Sequence, residues 1–235
     1  MTEPLVLVPG MMCDDRLFTP QIRAFCPDRA VMIAPISQAD RIEDIVSNLL
    51  DQLPPRFALA GLSMGGIVAM EVVKRAADRV TRLCLMDTNP LAETAAVAAA
   101  REPMIIGAQS GRLNEVMREA MLPEFLAPGS KRLEVLNLMF QMAADLGPDL
   151  FVRQSRALQR RPDQQATLRK YKLPTLILCG EHDKLTPVRR HEFMAELIPG
   201  AHLEIIKDAG HIPTLEQPEA TTAAIRAWLD QGLGG

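Results

Sequence analysis

The chain has 235 residues, 48 % hydrophobic and 23 % charged, with a formal net charge of −3 and a sequence pI near 5.9. Such a chain buries a full core as one domain with room for an insertion, which excludes disordered and collagen-like classes. It offers no basic field for phosphates, so nucleic acid is not an expected partner, and no run approaches the roughly 18 apolar residues that cross a bilayer.

The start, MTEPLVLVPG, has no basic n-region and breaks at Pro9-Gly10 after a short apolar run; it does not read as a secretory signal. Cys13, Cys26, Cys84 and Cys179 lack the CxxC spacing of a metal site, and the expected compartment is a reducing cytoplasm, without a membrane association. PLVLV is the first of six strand-like runs. RAVMIAPI follows, then the amphipathic segment ADRIEDIVSNLLDQL, in which Ile42, Ile45, Val46, Leu49, Leu50 and Leu53 share one stripe. RFALA runs through GLSMGG into the helix-like MGGIVAMEVVKRAADRV, and VTRLCLMD, PTLILCG and AHLEIIKDAG complete the strands. Runs that are apolar on both alternating faces, separated by amphipathic helices, predict an α/β fold with a doubly wound parallel sheet of about six strands. Residues 90–168 break the rhythm. They carry helical stretches punctuated by Gly107, Gly111, Pro123, Pro128-Gly129 and Gly147-Pro148 but no strand run, and a structureless loop of that length does not fit a compact domain. The expected organisation is a core of residues 1–89 and 169–235 with a helical cap, 90–168, inserted over one end of the sheet.

GLSMGG places Ser63 on a tight turn where a strand ends and a helix begins. A side chain there points towards the crevice in which open α/β sheets bind ligands. Gly61 and Gly65 supply the small flanks that a strained central residue needs, the GxSxG nucleophile elbow. The first turn of the helix offers free N–H groups to an oxyanion, Met64 contributing through its backbone. A serine hydroxyl needs a positioned base, itself oriented by a carboxylate. Among the four histidines, His211 in KDAGHIPTLEQPE sits on the same strand-end rim as Ser63. His182 competes but lies next to Asp183 in sequence, and adjacency does not orient an imidazole. His191 and His202 are expected on the surface. Asp183, in the loop after PTLILCG, is the candidate acid; Asp87, which ends VTRLCLMD and is otherwise accounted for by a turn with Thr88-Asn89-Pro90, is the alternative. Asp208 is expected to be structural and Glu181 an exposed charge. Pro9-Gly10 turns the chain so that the N–H of Met11 can supply a second oxyanion donor.

LVLVPG, GLSMGG, GEHDKLTP and AGHIPTLEQPE, in this order and spread over nearly the whole chain, resemble the α/β-hydrolase fold superfamily, and more closely its small, capped bacterial esterase-like members. The resemblance implies Ser63 as nucleophile, His211 as base and acid, Asp183 as orienting acid, and Met11 and Met64 as backbone oxyanion donors. It also implies a strand order 2-1-3-4-5-6 and a cap between the fourth and fifth strands. Two departures stand out: Pro9 replaces the histidine that many relatives use to brace the oxyanion loop, and the family's N-terminal antiparallel hairpin has no counterpart here.

The expected activity is hydrolysis of a small carboxylic ester through an acyl-enzyme, with no metal and no organic cofactor. Lactone, amide and carbon–carbon bond hydrolysis or a lyase reaction use the same triad, and a catalytically silent ligand-binding module is the reading from another class. Met12, Met104, Met117, Met121, Met139 and Met142 are candidates for an adaptable apolar pocket. Arg153, Arg156, Arg160 and Arg161 read either as a solvated helix face or as a grip for a substrate carboxylate. A small-molecule acyl substrate is the only expected partner of a monomer or homodimer.

Overall fold

The computed structural model describes residues 2–232. Six strands, β1 (Leu5–Val8), β2 (Val31–Ile33), β3 (Phe57–Leu62), β4 (Val80–Met86), β5 (Thr175–Gly180) and β6 (His202–Ile206), form one sheet in the order β2-β1-β3-β4-β5-β6. Every pairing is parallel. These are the six apolar runs of the sequence in the expected order. The four central strands are buried along their whole length, whereas the edges β2 and β6 stay partly open. That gradient follows from having helices on both faces and neighbours on only one side at the edges.

The period of two sorts the strand residues cleanly. Val6, Val8, Leu59, Leu83, Leu85 and Ile177 face one side, which α2 (Ile42–Leu50), α3 (Met64–Ala76) and α9 (Val188–Leu197) cover. Leu5, Leu7, Ala58, Ala60, Cys84, Leu176 and Leu178 face the other, against Phe25 at the end of α1 (Thr19–Phe25) and Ile225 and Trp228 of α11 (Pro218–Leu229). Just before α11 lies the short α10 (Pro213–Glu216).

Between β4 and β5 stand α4 (Ala95–Gln109), α5 (Leu113–Ala120), α6 (Arg132–Leu146), α7 (Pro148–Gln159) and α8 (Gln165–Lys170). Ala108, Leu113, Val116, Met117, Ala143, Leu150 and Phe151 from this stretch form an apolar cluster of their own, joined by Met12 from the loop after β1. Leu168 belongs instead to the cluster on the sheet face, so the expected boundary at residue 168 falls inside α8. The chain leaves β1 towards β2 on one side and returns to β3 on the other, so the loops following β1 and β3 diverge and open a crevice at their C-terminal ends.

One expectation about the surface is corrected. His191 of α9 is fully buried; its Nε2 accepts the N–H of Thr88 at 3.0 Å and its Nδ1 lies 3.4 Å from the carbonyl of Pro187. It ties α9 to the segment after β4. Burial, opposed by the nearby Asp183, lowers its pKa from 6.5 to about 4, so unfolding takes up a proton between those values. The stability that the neutral ring contributes is complete above pH 6.5 and falls as the pH drops towards 4, by about 3 kcal/mol in all. Asp87, whose pKa is raised, works in the opposite sense over the same range, so the telling quantity is a difference. Urea unfolding at pH 7.5 and pH 5.5 should show a larger acid loss for wild type than for His191→Gln; equal losses would place the ring's titration elsewhere.

Candidate active site

Ser63 stands between β3 and α3 with φ 55° and ψ −116°, a conformation in which an L side chain is strained. The turn is possible because a Cβ on Gly61 would run into the carbonyl of Gly65, and one on Gly65 into the carbonyls of Val8 and Pro9. Hydrogen bonds hold it: Ser63 N–H donates to Met86 O at 2.9 Å, and its carbonyl accepts the Thr88 hydroxyl at 2.7 Å.

Two further strand ends meet this turn. His211, in the loop after β6, places Nε2 3.1 Å from the Ser63 Oγ and Nδ1 2.9 Å from Asp183 Oδ2. Asp183, in the loop after β5, also accepts the N–H groups of Leu185 and Thr186 at 2.8 and 2.9 Å and the Thr186 hydroxyl at 2.6 Å. Burial alone would raise its pKa, but the His211 ring and these donors hold it at about 2. His211 and Asp183 are each only 3 % exposed, so their pairing is little screened by solvent. His182 lies beside Glu181 and His202 beside Glu204, both partly or fully open to solvent.

Asp87 is not the simple turn residue its neighbours suggest. It is fully buried with φ 43°, its Oδ1 accepts the Gly180 N–H at 2.9 Å, and a carboxylate oxygen lies within 4.8 Å of one from Asp183. Burial first, and the Asp183 charge second, push its pKa well above the usual carboxylate range. The two carboxyl groups are therefore driven apart: Asp183 favours its charged form, and the surroundings of Asp87 favour the proton. With Cys179 they form a cluster of metal-ligand type, yet the chemistry is unsuited to a cation. The Cys179 thiol is pushed far up by burial and Asp183 already serves four donors. Glu181, His182 and Asp208 form a second such group at the surface.

Met11 and Met64 both line the cavity beside Ser63, and the N–H of neither donates to a protein acceptor among the described residues. The turn that presents Met11 differs from the expected one. Met12, not Gly10, adopts the positive φ, 55°, while Gly10 leaves room beside the Ser63 Cβ. Gln154 of α7, 1 % exposed, accepts the Met12 N–H at 2.8 Å. It braces the loop from the inserted helices.

A cavity of about 640 Å³ opens over Ser63 and His211. Met104, Met117, Met121 and Met139 line it, together with Met11, Met64, Phe125 and Phe151. Met12 and Met142 do not: Met12 is drawn by its backbone turn into the cluster of the inserted helices, and Met142 is fully buried on the sheet side of α6. Of the four candidate arginines only Arg161 reaches the cavity. Arg153 donates to Ser37 O, Arg156 pairs with Glu102 and Arg160 with Asp40.

Four supporting residues escape a reading of the sequence. Thr186 has a local signal, since an Asp three residues earlier favours such a side-chain turn. Thr88 and Gln154 have none, because their partners are distant in the chain, and for Glu216 nothing in the sequence says that Ala127 joins its near neighbours Gly210 and Ile212. Glu216, 4 % exposed, gathers the N–H groups of Ala127, Gly210 and Ile212 at 2.7, 3.0 and 2.9 Å and so fixes both flanks of His211. Burial nevertheless raises its pKa.

No described helix is long and apolar enough to cross a membrane. A pimeloyl-acyl-carrier protein methyl ester esterase of Aromatoleum aromaticum is 30 % identical over 182 residues, 73 % of each chain. The bifunctional biotin biosynthesis protein of Teredinibacter turnerae is 26 % identical over 208 residues, 83 % of this chain but 36 % of that one; the match spans about a third of its length. Among solved structures, a thermophilic esterase from Thermogutta terrifontis, with malate bound, superposes with a TM-score of 0.87 at 28 % identity, covering 97 % of this chain and 89 % of the other. The model of the alpha/beta hydrolase family matches residues 5–225, and the chain belongs to that family.

Proposed function

We propose that the protein is a serine hydrolase that cleaves a small carboxylic ester through an acyl-enzyme, with Ser63 as nucleophile, His211 as general base and acid, and Asp183 as the acid that orients the ring. The observation that carries this reading is the unbroken line from Ser63 Oγ to His211 Nε2 at 3.1 Å and from His211 Nδ1 to Asp183 Oδ2 at 2.9 Å. Ser63 attacks the acyl carbonyl as His211 takes its proton. Asp183, held ionised by its donors, stabilises the imidazolium and fixes the tautomer. The N–H groups of Met11 and Met64 receive the developing oxyanion, where one donor is worth about 3 kcal/mol of transition-state stabilisation. His211 then protonates the departing alcohol, and a water activated by the same ring releases the acid. Side chains and main chain account for each proton, so the mechanism calls on no cofactor.

The helices α4–α7 act as the cap. Their thioethers give the cavity an apolar, adaptable wall suited to a short acyl chain, and the names of the esterase relatives agree with an ester as the bond cleaved. Lactones, amides and diketones belong in the same assay panel, because the triad alone does not choose among these bonds.

Three outcomes test the assignment. Wild type should react with a fluorophosphonate probe and turn over short esters, and Ser63→Ala should do neither; labelling that persists in the variant would remove Ser63 from the mechanism, and a wild type inert to both would favour a binding module. Asp183→Asn should keep its fold by circular dichroism and lose about 10³- to 10⁴-fold in kcat, whereas Asp87→Asn, which resembles the neutral acid already there, should lose far less. The reverse ranking would transfer the orienting role to Asp87. Gln154→Ala frees the Met12 N–H and should lower kcat about tenfold with little change in KM, the mark of an oxyanion loop set slightly out of place.

A further inference from the structure

The cavity over Ser63 is also lined by charge that the acyl chemistry does not use. Glu93, with its side chain 2 % exposed, is gripped by Arg101, whose Nε donates to both carboxylate oxygens at 3.0 Å and whose Nη2 donates to Oε1 at 2.6 Å. That bidentate pair satisfies the carboxylate. Arg161 is nevertheless packed against it, 11 % exposed, with Nη1 3.4 Å from the same Glu93 oxygen and Nε donating to Leu91 O at 2.9 Å. Arg190, half-buried at the start of α9, reaches the same cavity and has no carboxylate partner among the described residues. Glu119 also borders the cavity but is exposed at its edge. Three guanidinium groups thus face two carboxylates, one of them already bidentate and the other in water.

A buried guanidinium in excess is costly unless a partner completes its hydrogen bonds. Desolvation depresses the pKa of Arg161; Glu93 opposes that and Arg101 adds to it. The rest of the wall is thioether, aliphatic, aromatic or uncharged polar beside the triad serine and histidine, so no further carboxylate lines it to neutralise the surplus. Arginine's planar fork matches a carboxylate better than any other small anion-bearing group in an acyl compound.

Resting on the hydrolase reading above, we infer that the preferred ester carries a second, free carboxylate, received by Arg161 and Arg190, with Glu93 and Arg101 holding Arg161 in place. The surplus charge selects for an anion without saying whether it sits on the acyl or the alcohol side of the scissile bond, and the test separates the two.

One arm compares monomethyl with dimethyl esters of a series of straight dicarboxylic acids, where the acid lies on the acyl side. The other compares ω-acetoxy carboxylic acids with their methyl esters, where it lies on the alcohol side. In at least one arm the free acid should exceed its neutral counterpart in kcat/KM by about tenfold, and the arm that shows it assigns the side. Arg161→Met should collapse that ratio towards one, and Arg161→Lys should retain part of it; a merely structural role would lower both members of each pair alike and leave the ratio intact. Binding gives a readout free of turnover: calorimetric titration of wild type with the monoamide of glutaric acid should show tighter binding than the neutral diamide, and Arg161→Met should erase the difference. Absence of any Ser63-dependent ester turnover would sink the hydrolase reading while leaving the binding contrast to decide the subsite. Equal turnover of acid and neutral ester in both arms, together with equal binding of monoamide and diamide, would overturn the carboxylate subsite and leave the hydrolase reading standing.

Discussion

The strained backbone at Ser63 is the constraint from which the rest of the site follows. A non-glycine residue at φ 55° and ψ −116° costs on the order of 1–3 kcal/mol, and it persists only where its surroundings over-determine it. Here β3 is locked between β1 and β4, and α3 is buried along almost all of its length from Met64 to Ala76. Strand and helix can both keep their packing only if the chain reverses in one residue. The close approach of Gly65 to the carbonyls of Val8 and Pro9 then brings the end of β1 against the first turn of α3. The nucleophile position, the N–H of Met64 and the loop carrying Met11 are in this sense one geometrical object.

A second set of contacts couples that object to the inserted helices. Gln154 on α7 takes the Met12 N–H, Phe125 O accepts the His211 N–H at 2.8 Å, and Glu216 bridges Ala127 to the residues flanking His211. Hydrogen bonds of this kind are worth about 0.5–1.5 kcal/mol each, and together they tie the 123–127 segment to the floor of the site. The helices α4 and α5 line the cavity, whereas the 123–127 segment and α7 are bonded to His211 and to the loop after β1.

What could be read in the sequence is what is encoded locally. The six strands are apolar on both faces because both faces are covered, and the GxSxG turn announces itself because its steric demands fall on residues two positions either side of Ser63. His211 and Asp183 were legible as ends of strand-like runs. The places of Met12, His191 and Asp87 are not encoded locally, because each is set by contacts made across more than a hundred residues or by neighbouring strand ends. A helix of mixed polarity such as VRRHEFMAEL gives no sign that its histidine, and not its phenylalanine, is the side chain sealed inside. Likewise a methionine beside a Pro-Gly turn does not reveal whether it faces the cavity or the cluster behind it, and only the backbone of Met12 decides that.

Two aspartates end neighbouring strands, and solvation explains why they take different protonation states. Bringing two carboxylates within 4.8 Å in a dry interior makes double ionisation costly, so the pair sheds its first proton from whichever group is better served by donors. Asp183 accepts two backbone N–H groups, the Thr186 hydroxyl and the His211 ring. Asp87 accepts the Gly180 N–H, and its Oδ2 is buried without a partner. The charge thus favours Asp183, and a second negative charge beside His211 is disfavoured. On this account the aspartate after β4 holds the β5 terminus in place through Gly180, while Asp183 is the carboxylate that meets His211.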